Sequence, residues 1–216
     1  MYSEALFLLL AVATFLAAER GRFGWAGVLA GLAMLTRSQG IALLPALAWF
    51  VWRSPDRHRD VRALLIPAAL FLVYPLTLWA SIGHPLAFQK AQDDTWQRSF
   101  DALAPVTGVF HAIGSGERLE AVFAIAMVAL AIASFRLVGI PYGLYASVVL
   151  WIPLTYPTPK GWLYSFPRLC LVAFPCLVAL AVLTAPRPRL AGSVAAVLAA
   201  GLAAFVVRWA LWDWVA

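Results

Sequence analysis

The residues best equipped for chemistry sit where the chain is otherwise hydrocarbon. In LTRSQGIALLP, residues 35–45, Thr36, Arg37, Ser38 and Gln39 separate two apolar runs; in TPKGWLYSFPR, residues 158–168, Lys160 and Arg168 precede another. A guanidinium presents a planar fork of N–H donors that fits phosphate oxygens, and an ammonium adds a compact point charge. Cations among apolar residues are costly unless an anion meets them. Arg37, Lys160 and Arg168 are the cations with which this chain could meet a lipid phosphate. Glu4, in YSEALFLLL, admits two readings: a first-turn acid favoured by the helix dipole, with Ser3 as cap, or an acid at the mouth of an outward-facing site. Gln39 lies in the first polar interval, and QKAQDDTWQR, residues 89–98, adds Gln92, Trp96 and Arg98 as substrate-binding candidates. Trp96 beside Arg98 suits stacking on a sugar ring.

Other chemistry is thinner. Asp93 and Asp94 are adjacent, diverge on any regular element and lack D-x-D spacing, so a solvated loop is the favoured reading. His58, His84 and His111 make no metal pattern, and no metal site is expected. No P-loop, Rossmann glycine pattern or G-x-S-x-G occurs. No cofactor is expected, with a divalent ion left open. Cys170 and Cys176 stand in one apolar run at a spacing that fits neither a disulfide framework nor a zinc site, and read as small packing residues.

The elements that must position these groups are membrane helices. Apolar residues make up 63 % of the 216 and charged ones 12 %, far from the roughly half and quarter of a soluble domain. The sixteen Lys and Arg are scattered through short loops with no aromatic-interleaved basic stripe, so no nucleic acid is expected and the bilayer is the partner. Apolar segments run over about 5–18, 23–36, 41–52, 63–82, 119–135, 138–156, 169–185 and 190–212. The expected fold is all-α, a single multi-pass domain over 1–216 with about eight hydrophobic helices. A ~30 Å core takes ~20 helical residues, so the second and third segments are short and form a hairpin.

Joining those two into one helix would leave Arg37 near the bilayer centre, at a cost of at least ~2.5 kcal/mol. Splitting them at Thr36 to Gly40 removes that cost. It also gathers Arg20, Arg22, Arg53, Arg57, Arg59, Arg62, Arg136, Arg187 and Arg189 on one face, which the positive-inside rule makes cytoplasmic. The opposite face receives Glu4, the Arg37 turn, a long loop over about 83–118, the interval 157–168 and the C-terminus. Trp96, Trp162, Trp209, Trp212 and Trp214 fall near that boundary, as an interfacial aromatic belt would. The expected place is the plasma (inner) membrane.

Together, YSEALFLLL at 2–10, AGVLAGLAMLTRSQGIALLPAL at 26–47, QKAQDDTWQR and SFPRLCLVAFP at 165–175 resemble the polytopic GT-C glycosyltransferases. The likeness is to mannosyltransferases of the GPI mannosyltransferase 2 (PIG-V) type and their bacterial relatives. Ser3, Glu4, Thr36, Arg37, Gly40 and Pro45 match that family's S-E-[AS]-L-F helix start and A-L-T-R-x-x-G-x-x-L-x-P hairpin. The resemblance implies transfer of a sugar, mannose, from a polyprenyl-phosphate donor to an acceptor hydroxyl on a glycan, lipid or protein, on the extracytoplasmic side. The family places a catalytic acid in a first outer loop after an N-terminal helix. This chain has no counterpart to it, so no catalytic residue is assigned and the expectation is the C-terminal part of a larger enzyme. A transporter or flippase-like protein is the alternative, but it calls for corresponding helix breaks in two halves, and no break matching 36–40 is expected in 119–212. A non-catalytic membrane subunit would leave Arg37, Lys160 and Arg168 unconstrained.

Overall fold

The computed structural model describes residues 3–97, 100–115, 117–159, 161–163 and 166–210, and these are helical apart from loops and an isolated bridge between Thr158 and Gly161. The helices are α1 (Glu4–Glu19), α2 (Phe23–Thr36), α3 (Leu43–Arg53), α4 (Arg57–Asp60), α5 (Leu65–Ile82) and α6 (Ala87–Trp96). They continue with α7 (Ala104–Ser115), α8 (Arg118–Leu137), α9 (Ile140–Leu154), α10 (Phe166–Leu169), α11 (Phe174–Thr184) and α12 (Pro188–Ala210). Three short 3-10 turns, Ser38–Ala42, Val61–Leu64 and Cys170–Val172, join some of them.

The chain shuttles between two ends. Helix α1 runs to Glu19 and turns at Gly21, whose φ of +68° lets its N–H reach the Ala18 carbonyl at 3.0 Å and that of Arg22 reach Ala17 at 2.9 Å. A glycine adopts that left-handed conformation without strain, and the two bonds satisfy carbonyls the helix end would orphan. Helix α2 returns antiparallel, so Ser3 Oγ meets the Thr36 carbonyl at 3.4 Å. Helix α5 lies along α2 so closely that a Cβ on Gly31 would come 2.6 Å from Leu70 Cδ1 and 3.1 Å from the Pro67 Cα. The core gathers on Phe15, with Phe50, Tyr142, Tyr145 and Phe174 around it at ring-centroid distances of 4.5–6.0 Å. These rings tie α1, α3, α9 and α11 into one bundle, an aromatic packing that contributes beyond its buried area.

Two breaks interrupt the helices. The first falls at Arg37, whose extended backbone (φ −156°, ψ 145°) ends α2 as the sequence predicts. Gly40 then folds back until a Cβ there would lie 2.5 Å from the Met34 backbone, which only glycine permits. The second break corrects an expectation: the apolar run 169–185 is not one helix but bends by 81° around Ala173. Phe174 and Pro175 supply the cause, since proline has no N–H to continue the ladder and disfavours a helical residue before it. Side chains of the bundle donate to two carbonyls at the break. Tyr145 Oη donates to Val172 at 2.9 Å, and Gln39 Nε2, from the first break, donates to Leu169 at 3.1 Å.

Among the described residues, two helical stretches suffice by length and composition to cross a membrane, Arg57–Ile82 and Glu120–Leu137, or three if the bent pair Phe166–Val172 and Phe174–Thr184 counts as one. That is fewer than the eight expected. Phe23–Thr36, Ile140–Leu154 and Pro188–Ala203 are apolar but shorter. The interval 83–118 is also not a plain loop, because α6 and α7 occupy it. Asp93 and Asp94 stand on α6, and Asp101 starts α7 by accepting the Leu103 N–H at 2.8 Å. Cys170 and Cys176 are both free and buried, on either side of the bend.

Candidate functional site

Where α1 begins, α2 ends and α10 lies, three charged side chains from distant parts of the chain converge. Arg37 Nη1 lies 2.7 Å from Glu4 Oε1, and Arg168 Nε donates to the same oxygen at 2.9 Å, across 164 positions of sequence. The helix start favours an acid at position 4. The break after Thr36 swings Arg37 out of α2, and α10 delivers Arg168 just before the second break. With side-chain exposures of 14 % for Arg37, 17 % for Glu4 and 29 % for Arg168, the cluster is mostly shielded but open on one side. One carboxylate against two guanidiniums leaves it with a formal charge of +1.

Burial pushes the Glu4 carboxyl up, but hydrogen bonds from Arg37 and Arg168 outweigh that and hold it below its ordinary range. Glu4 is thus a fixed anion and a poor proton acceptor near neutral pH. Its second oxygen, Oε2, is buried and takes no hydrogen bond from any donor among the described residues. The same holds for Oε1 of Gln39, a residue only 3 % exposed. Buried acceptors left unmatched are costly, so this corner couples fixed cationic donors with acceptor oxygens that want a hydroxyl or amine.

Of the sequence-derived candidates, Glu4, Arg37, Gln39 and Arg168 come together. The amide nitrogen of Gln39 is engaged on Leu169, which leaves its carbonyl oxygen as the open group. Ser3 makes no side-chain cap to α1 and bonds Thr36 instead. Gln92 and Trp96 stand on α6, which is held to α5 by Phe88 on Tyr74 at 5.6 Å. Lys160 and Arg98 lie outside the described residues. Among the described residues no group of three or more His, Cys, Asp and Glu side chains is placed to hold a metal ion.

Sequence reasoning missed a second polar cluster at the same end of the bundle. Glu117 Oε2 accepts the Trp162 N–H at 3.1 Å, and the Trp162 ring stacks on His111 at 4.8 Å with 5° between planes. It ties α7 to the 157–163 interval. Its only sequence signal is an acid just before α8, too common to single out.

No protein-family model, curated protein or solved structure matches this chain. What it can be called rests on its own residues: an all-helical chain with membrane-length apolar helices and an Arg–Glu–Arg cluster at one end.

Proposed function

We infer that this chain carries the donor-phosphate site of a membrane glycosyltransferase that takes a sugar from a polyprenyl phosphate. Mannose is the sugar the resemblance implies. The observation that supports this reading is the convergence of Arg37 and Arg168 on one oxygen. Two guanidiniums fixed 2.7 and 2.9 Å from an anionic oxygen are already spaced to hold a phosphate oxygen there or alongside, and preorganised donors in a water-poor site stabilise a leaving phosphate. Oε2 of Glu4 and Oε1 of Gln39 are acceptors suited to sugar hydroxyls. Arg37, Arg168 and Lys160 bind the phosphate, while Gln92, Trp96 and Arg98 line the sugar and acceptor side. No base is assigned within this chain, since the hydrogen bonds from Arg37 and Arg168 make the Glu4 carboxylate a weak proton acceptor.

In this reading eight apolar helices enter the inner membrane: α1, α2, α3, α5, α8, α9, the bent α10–α11 pair and α12. Helices α2 and α3 form a short hairpin that sets Arg37 at headgroup depth. The arginine-rich end is cytoplasmic and the cluster extracytoplasmic.

The bend at Ala173 favours a second reading. A transporter was expected to need a second helix break, and one now stands in the C-terminal half, touching the first through Gln39 and Leu169. One experiment separates the two readings. The purified chain is tested for thermal protection by polyprenyl-phosphate-mannose, and vesicles containing it are tested for movement of that lipid between leaflets. Protection without movement supports the transferase donor site, movement supports the transporter, and neither in a folded sample defeats both.

A further inference from the structure

At the other end of the α1–α2 hairpin lies a shallow cavity of about 230 Å³. Ala13, Leu16 and Ala17 on α1 and Leu29 on α2 line it, the two alanines forming a low wall beside the leucines; Arg20, Arg22 and Trp25 rim it at the turn. The wall is low because alanine ends at Cβ, and it extends along the helix axis away from the charges. Both arginines are exposed, and among the described residues no carboxylate comes within 4.0 Å of either. Glu19, the nearest acid in sequence, is turned onto α9, where it accepts the Tyr142 hydroxyl at 2.6 Å. Helix α2 starts at this rim with no side chain capping it, so its first-turn N–H groups add positive potential. A Cβ on Gly24 would meet nothing within 4 Å, so that first turn stands open. Trp25 leaves 66 % of its surface outside, an amphipathic ring at the boundary between the charges and the apolar wall.

We propose that this cavity is a binding site for an anionic phospholipid, independent of the Glu4 cluster. The lipid phosphate sits between Arg20, Arg22 and the start of α2, and the upper part of one acyl chain lies along Ala13, Ala17 and Leu29. The volume falls below the ~300–1,000 Å³ of an enclosing ligand pocket, so the rest of the chain stays in the bilayer. Three features select this occupant: two unneutralised cations, an open helix start beside them, and an apolar wall leading from them along the helices. A soluble phosphate would use only the first two.

The test titrates the purified chain in detergent with phosphatidylglycerol, phosphatidylcholine and inorganic phosphate, reading bound lipid by native mass spectrometry. Phosphatidylglycerol should bind preferentially. At ~1 kcal/mol per arginine, or about fivefold each, Arg20→Gln with Arg22→Gln should weaken it roughly 25-fold. Arg187→Gln with Arg189→Gln, at the same end of the bundle, should change it less than threefold. Ala13→Leu, which raises the wall and keeps the charges, should also weaken it. Equal loss in the two double-arginine variants would overturn the proposal in favour of a diffuse basic surface. Full competition by millimolar inorganic phosphate would reduce the site to a phosphate site, and equal binding of phosphatidylcholine would remove the role of the arginines. The charge changes lie on exposed side chains, so folding survives them and the outcome stands even if Ala13→Leu misfolds.

Discussion

Arginine is used in opposite ways at the two ends of this bundle. At one end Arg37 and Arg168 are largely shielded, come from separate elements and share a carboxylate that the fold brings to them. At the other, Arg20, Arg22, Arg57 and Arg59 are exposed, follow one another in turns, and lean on no carboxylate among the described residues. The first arrangement needs tertiary structure to exist; the second needs only sequence order. Half-buried cations that the fold pairs are therefore candidates for a built site, whereas exposed ones act by their number, sign and side.

The sharpest way to break that comparison is to ask whether the two ends face opposite sides of a membrane, an all-or-none outcome. Cys170 and Cys176 are buried at 1 % and 0 % exposure, so single cysteines can be introduced beside them. Ala102→Cys, at the end holding the cluster, should react with an impermeant thiol reagent in intact cells, and Ala185→Cys should react only after permeabilisation. Labelling of both from outside would remove the two-sided arrangement.

Next in size is the contrast between a paired and an unpaired arginine. Each charge-assisted hydrogen bond contributes about 1.5–3 kcal/mol, so Arg37→Ala should weaken polyprenyl-phosphate-mannose binding by roughly ten- to a hundredfold. Arg57→Ala should leave it unchanged. Arg37→Lys keeps the charge but loses the fork, and should fall between. If Arg37→Leu binds as well as the natural chain, the arginine is structural and the donor-site reading fails.

Hydrogen bonds give the third contrast. Gln39→Leu strips the part-buried Leu169 carbonyl of its donor and should cost about 1–3 kcal/mol of stability. Tyr142→Phe at the other end removes an exposed hydroxyl that water can replace, and should cost less than about 1 kcal/mol. Equilibrium unfolding in mild denaturant ranks the two, and the reverse order would mean that the joint between the two breaks does not hold the bundle together.

These pairings mark the limit of what could be read in advance. The break at Arg37 was legible because a cation inside hydrocarbon leaves the chain few options, and the segment bounds were legible because charges and glycines punctuate them. That Arg37 and Arg168 gather at one end followed from counting helices. The shared partner did not, because Glu4 had an adequate local explanation in the helix dipole. The bend at Ala173 was hidden in a run where every face is apolar, which erases the periodicity that marks a helix and its ends. Phe174 and Pro175 were the available signal, but proline is common in membrane helices. Helix α6 was missed for the opposite reason: its polar sequence matched a loop by composition alone.

The smallest effect concerns Glu4 itself, which on this reading stabilises the empty cluster and also competes with a bound phosphate. Its carboxyl is depressed below the ordinary value of 4.5 by the two arginines, after burial alone would have raised it. A depressed folded-state value contributes stability that is present above the unfolded value and lost as pH falls through the folded one. Glu4→Gln should therefore be less stable than the natural chain at pH 7, and the two should converge as pH drops below about 4.5. The same substitution raises the formal charge of the cluster from +1 to +2, so at pH 7 it should bind polyprenyl-phosphate-mannose more tightly. The expected gain is roughly three- to tenfold for one partly screened charge, shrinking as salt is added. At the arginine-rich end no such trade exists, and Glu19→Gln should alter neither donor binding nor its pH dependence. A Glu4→Gln chain that lost stability yet bound the donor more weakly would show that Glu4 holds the ligand rather than competing with it, and would turn its buried Oε2 into the contact to pursue.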